Sequence, residues 1–142
     1  MLCRDEIAAL IPHQGAMCLL YEVLSYDRDA ISCRATDHRD PSHPLRDGGV
    51  LPAVCGVEYA AQAMAVHGAL AGGVNVAPGV LAAVRDLTLY VDRLDDVGED
   101  LVVRAEKLLG DSARLLYEFT ISAGGRELLH GRAAVVLTTD PG

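Results

Sequence analysis

The chain has 142 residues, of which 51% are apolar, and carries a formal net charge of -8. That length and apolar share are enough for one core and argue for a single domain over residues 1–142. The 12 Lys and Arg are scattered among 20 acids, which leaves no basic stripe for a nucleic-acid backbone and excludes that class of partner.

Asp5 to Leu10 reads as a short helix with acids in its first turn, stopped by Pro12, and a turn with His13 and Gly15 follows. Met17–Tyr26 and Ala30–Thr36 are apolar and β-branched runs bracketed by Asp-rich turns, the signature of two antiparallel strands. Asp37 to Gly49 is a polar loop. Leu51-Pro52 then opens an uninterrupted AVCGVEYAAQAMAVHGALA, a helix of about eighteen residues ended by Gly72-Gly73. Gly79–Tyr90, Leu101–Leu109, Arg114–Ser122 and Glu127–Thr138 read as four more strands, separated by DDVGED, GD and AGG turns.

Ala and Gly occupy nearly every side of the long helix, so it has too little polar surface for an ordinary surface helix. The pattern predicts an α+β hot dog fold, one long central helix wrapped by a curved antiparallel sheet of five to six strands. A plain α+β sandwich with the helix on one face is the structural rival.

The cysteines Cys3, Cys18, Cys33 and Cys55 have no paired spacing and read as free thiols rather than a zinc site or redox pair. The N-terminus has acids and too short an apolar run for a signal peptide, and no run of apolar residues is long enough to span a bilayer. The chain therefore reads as a cytoplasmic protein, with no membrane partner expected.

One stretch stands out for chemistry, HPLRDGGVLPAVCGVEYAAQ from His43 to Gln62. Helical spacing sets Val54, Val57, Ala61, Met64 and Ala65 around Glu58, so this carboxylate is expected on a buried, apolar side where ionisation without a partner is costly. The bland alternative is a structural ion pair of Glu58 with Arg85 or Arg132. A loop histidine before Pro is, taken alone, a turn residue. His38 and His13 fit the spacing to Glu58 less well, and His67 and His130 read as structural. Tyr59 and Tyr21 read as packing residues or as walls of an acyl tunnel. Arg46 and Asp47 are placed for local salt bridges or contact with a carrier arm.

The segment Glu58-Tyr59-Ala60-Ala61-Gln62, the Pro52-to-Glu58 interval and the upstream IPHQGAMCLLYEV resemble the β-hydroxyacyl-[acyl-carrier-protein] dehydratases, which are hot dog proteins. Their loop has the form HFPGxPxxPGVL; here His43 lies one residue further from the acid, and Ala53 stands where that family has Gly. The HPL, DG, LP and GVEYAAQ pieces resemble more narrowly the small dehydratase-like proteins of aryl-polyene-type clusters, some of which work with a second dehydratase subunit.

The resemblance implies cofactor-free, metal-free removal of water from a 3-hydroxyacyl thioester on an acyl carrier protein, giving the trans-2-enoyl thioester. His43 would be the base at the α-carbon, and Glu58 the acid or the water-holding group, provided its apolar setting keeps it partly protonated. Backbone N–H groups at Ala53 and Val54 would hold the thioester carbonyl, and Gln62 would fix the Glu58 carboxylate. It also implies a homodimer, or a heterodimer with a related dehydratase subunit, with Glu58 facing His43 of the partner chain. An acidic carrier needs a basic rim on an acidic protein, for which Arg85 and Arg93 are candidates. Two other readings stay open: a hot dog thioesterase that uses Glu58 to direct water, and a non-catalytic subunit shaping an active partner's tunnel, which the loop shift and Ala53 favour.

Overall fold

The computed structural model describes residues 2–10, 17–72, 79–111 and 113–137. Helix α1 (Arg4–Leu10) leads into strands β1 (Glu22–Tyr26) and β2 (Ala30–Ala35), then helix α2 (Gly56–Gly72), then β3 (Gly79–Leu89), β4 (Leu101–Gly110), β5 (Arg114–Ala123) and β6 (Arg126–Leu137). The strands form one antiparallel sheet in the order β1-β2-β4-β5-β6-β3, with β1 and β3 at its edges. α2 lies on the inner face, as the hot dog pattern predicts. His13, in the expected turn, lies outside the described residues.

The turns are made by the residues that turns require. Asp27 Oδ1 accepts from the N–H groups of Asp29 and Ala30, both at 2.8 Å, and closes the β1–β2 hairpin. Asp111 does the same for Ala113 and Arg114 before β5. Gly124 and Gly125 join β5 to β6 at φ 57° and 79°, a pair of left-handed positions natural to a two-residue hairpin.

The first strand is shorter than the sequence predicts, and the reason is a side chain. Leu19 N–H donates to Gln62 Oε1 at 2.8 Å, while Gln62 Nε2 donates to the Met17 carbonyl at 2.7 Å. The 17–19 segment thus spends its main chain on α2 instead of a neighbouring strand. Entry into α2 is pinned in a similar way. Leu94 N–H donates to the Leu51 carbonyl at 2.8 Å, Ala53 N–H to the Asp92 carbonyl at 3.0 Å, and Leu51 N–H to Asp95 Oδ1 at 2.9 Å. Arg93 grips the same Asp95 carboxylate and holds its pKa well below the usual range. A short 3-10 turn, Ala53–Cys55, precedes the α-helix proper.

The core runs between α2 and the inner faces of β2, β4, β5 and β6, with Tyr59, Ala60, Ala63 and Val66 packed against residues such as Val103, Ala105, Phe119, Ile121 and Leu129. Gly56 makes the closest approach: a Cβ there would stand 2.8 Å from Leu129 Cδ2 and 2.9 Å from Ile121 Cδ1. Only glycine lets the first turn of α2 sit this near the sheet.

The helix is not enclosed all round. Val54, Val57, Glu58, Ala61 and Ala65 recur at helical spacing and stay half-buried or exposed, Val54 at 50%. On the same, inner side β3 is covered in its middle, where Val84 and Leu87 pack against the core, and open toward its two ends. Its Leu81 and Leu89 share register with inward-facing Val135 and Leu129, yet Leu89 is 44% exposed. The side of α2 expected to be buried around Glu58 is therefore open in the single chain, because the sheet wraps the opposite side of the helix.

Candidate active site

Glu58 sits in the first turn of α2, half-buried in this open apolar trough. The partners considered for it from sequence go elsewhere or stay apart. Arg132 Nε pairs with Glu118 Oε2 at 3.8 Å, and Arg85 lies beside Arg132 on the outer face of the sheet.

His43 is placed quite differently from a base waiting at an open site. Its side chain is fully buried. Leu45 N–H donates to Nδ1 at 3.1 Å, so Nδ1 carries no proton and Nε2 does. Nε2–H faces Tyr59 Oη at 2.9 Å, with Asp37 Oδ2 at 3.5 Å, and Tyr59 in turn donates to Asp37 Oδ1 at 2.6 Å. Burial pulls the His43 pKa below its usual value, against the opposite pull of the Asp37 carboxylate. Burial raises Asp37, opposed by the Tyr59 hydrogen bond, and raises the Tyr59 phenol as well. The result is a neutral imidazole with both nitrogens occupied, tying the 37–45 loop to the residue that follows Glu58 in α2.

The carbonyl-binding donors expected at the helix start divide in two. The Ala53 N–H is taken by the Asp92 carbonyl. That leaves the Val54 N–H, on an exposed residue at the open first turn, where a helix has no acceptor of its own to offer. Gln62 is fully buried and ties its amide to the main chain of Leu19 and Met17 rather than to the Glu58 carboxylate expected from the family position. A lone amide on an Ala-rich helix must find polar partners somewhere, and unpaired main chain supplies both a donor and an acceptor.

The three other histidines among the described residues each hold partners within the chain. His38 Nε2 lies between the carbonyls of Val97 and Glu99 at 3.1 and 3.0 Å. His67 joins Tyr117 Oη at 2.7 Å to the Asp27 carbonyl at 2.9 Å, and His130 pairs with Glu127 at 3.0 Å. Sequence reasoning missed Asp37 and Tyr59 as partners of His43; the signal was the neighbourhood of a loop acid, a loop histidine and a tyrosine one residue after the helix carboxylate. Among the described residues, no three His, Cys, Asp or Glu side chains converge as a metal site, and no helix is long and apolar enough to cross a membrane.

No curated protein sequence matches the chain. Among solved structures it is similar to the dehydratase heterocomplex ApeI:P from Xenorhabdus doucetiae, with 26% identity, TM-score 0.81, and 94% of this chain aligned to 91% of that one. A thioesterase from Haemophilus influenzae (13% identity, TM-score 0.71, 98% and 92% covered) and zebrafish thioesterase superfamily member 2 (18%, 0.65, 97% and 100%) share the fold. The model of the ApeP-like family, described as ApeP dehydratase, matches residues 5–141. With an open trough around one carboxylate, a hot dog fold and a family match over nearly its whole length, the chain belongs to the ApeP-like dehydratase family.

Proposed function

We propose that this chain is one half of a two-chain dehydratase acting on 3-hydroxyacyl thioesters carried by an acyl carrier protein in polyene-type or fatty-acid biosynthesis. The observation that supports this reading best is the open apolar trough of α2 and inner β3 with Glu58 in it, a surface that a second chain would cover. The similar structure is a heterocomplex, and a related dehydratase subunit is the occupant we favour over a second copy. His43, whose nitrogens are both engaged within its own chain, supports a half-site arrangement.

In this reading the base that takes the α-proton comes from the partner. As the Cα–H bond breaks, negative charge gathers on the thioester oxygen, where the Val54 N–H and the positive end of α2 stabilise it. The electron pair then forms the Cα=Cβ bond while the Cβ–O bond breaks, and the hydroxyl leaves as water with the proton of the Glu58 carboxyl. His43, Tyr59 and Asp37 act as positioning residues for the helix start.

The test is water loss from a 3-hydroxyacyl carrier, followed by mass spectrometry. The expected result is negligible turnover by the chain alone, turnover with a dehydratase partner subunit, and loss of that turnover in Glu58→Gln of this chain. Full activity of the isolated chain would overturn the need for a different partner subunit, and undiminished activity of the Glu58→Gln complex would remove Glu58 from the chemistry.

A further inference from the structure

The outer face of the sheet, away from α2, carries a pattern that complements itself. Register lines up Leu109, Leu116, Ala134 and Ala83 across β4, β5, β6 and β3, bulky on the first two strands and small on the last two. Leu109 is 69% exposed and, with Arg114 and Leu116, walls a groove of about 430 Å³. The next outward row reads Glu106, Glu118, Arg132 and Arg85 over the same four strands, and all four are exposed. Acids occupy one half of the row and bases the other.

We propose that this face packs against the same face of a second copy of the chain, about a two-fold axis running parallel to the strands between β5 and β6. That operator lays β5 over β6 of the copy and β4 over its β3. Glu118 then meets Arg132 of the copy and Glu106 meets its Arg85. The same rotation sets Leu116 on Ala134 and Leu109 on Ala83, large against small. A two-fold axis across the strands would instead stack Glu118 on Glu118 and Arg132 on Arg132, so the charge row selects one axis. Face-packed sheets cross at about 30°, which keeps rows near the axis in contact.

Within one chain these charges are loosely held. Glu118–Arg132 is 3.8 Å and Arg104–Glu106 is 3.7 Å, with all four side chains about half exposed. Re-pairing across the face therefore costs little. The face lies on the opposite side of the sheet from Glu58, so this inference stands independently of the proposed chemistry.

Sedimentation velocity of the purified chain at low ionic strength tests it. The wild type is expected to form an assembly twice the mass of that formed by Glu118→Arg, Arg132→Glu or Leu109→Asp. An equimolar mixture of Glu118→Arg and Arg132→Glu should recover the wild-type mass, because each supplies the charge the other lacks. All three positions are exposed, and recovery in the mixture shows that both single variants are folded. Equal masses for the wild type and the single variants, or no recovery in the mixture, would overturn the proposal.

Discussion

Two histidine–tyrosine pairs are buried at opposite ends of α2, and they are built differently. At its start, His43 Nε2–H faces Tyr59, and Tyr59 passes its own proton toward the Asp37 carboxylate. Near its end, Tyr117 donates to His67 Nδ1, and His67 Nε2–H ends on the carbonyl of Asp27. The rings lie tilted at 32° in the first pair and edge-on at 86° in the second. One chain of hydrogen bonds ends in an ionisable group and ties down a loop beside Glu58. The other ends in a backbone carbonyl, inert to pH, and fastens the β1–β2 turn. An identical pair of residue types thus ends on a carboxylate beside Glu58 in one place and on main chain at a hairpin in the other.

The largest contrast should appear in turnover. In the proposed two-chain enzyme, Glu58→Gln is expected to lower the dehydration rate by about two to four orders of magnitude with little change in melting temperature. His67→Gln, at the far end, should lower the melting temperature and leave the rate per folded molecule unchanged. A rate loss at His67 comparable to that at Glu58 would erase the functional asymmetry of the helix.

Stability should separate the two tyrosines next. Tyr59→Phe removes the near acceptor of the buried His43 Nε2–H, leaving it only the Asp37 carboxylate at 3.5 Å, and takes a hydrogen bond from Asp37; it should cost ~2 kcal/mol in denaturant unfolding. Tyr117→Phe leaves only the acceptor His67 Nδ1 without its donor, and should cost ~1 kcal/mol. Equal costs would show that the carboxylate end adds nothing.

A pH scan sharpens the same point with a smaller effect. Burial lowers the pKa values of His43 and His38 from 6.5 in the folded chain. The unfolded chain therefore binds more protons as pH falls through the ordinary histidine range, and stability should be full above about pH 7 and decline below about 6.5. The decline is at most about 1.4 kcal/mol per pH unit for each histidine. In His43→Gln the decline below about pH 6.5 should be shallower than in the wild type; an unaltered slope would assign the acid sensitivity elsewhere.

Much of the fold was legible because its signals are periodic and local. Asp27, Asp111 and the Gly124-Gly125 pair announce their turns, and the strands after Gly79 fall within one or two residues of their predicted ends. The site was legible only where chemistry is local to one element. Glu58 could be picked out as the single acid on α2, yet its exposure could not, since which side of an apolar helix a sheet covers is decided by pairings far apart in sequence. The orientation of His43 was hidden for the same reason. Its spacing to Glu58 pointed to the trough, but Asp37, Leu45 and Tyr59 together occupy both ring nitrogens inside the chain. Gln62 went to the 17–19 segment because buried main chain there had no strand to pair with.

Gly56 gives the position of Glu58 a mechanical origin. With Leu129 and Ile121 methyl groups standing where a side chain would begin, the helix start rests on the sheet through a bare backbone carbon, two residues before the carboxylate. The sheet is thereby a datum surface, and the height of Glu58 above it is set by an absent methyl group. Any residue that restores that methyl must lift the helix or push back the two side chains. A few tenths of an ångström at this fulcrum travel through one turn of helix to the carboxylate, so tolerance to mutation at position 56 measures how finely the depth of the trough is gauged.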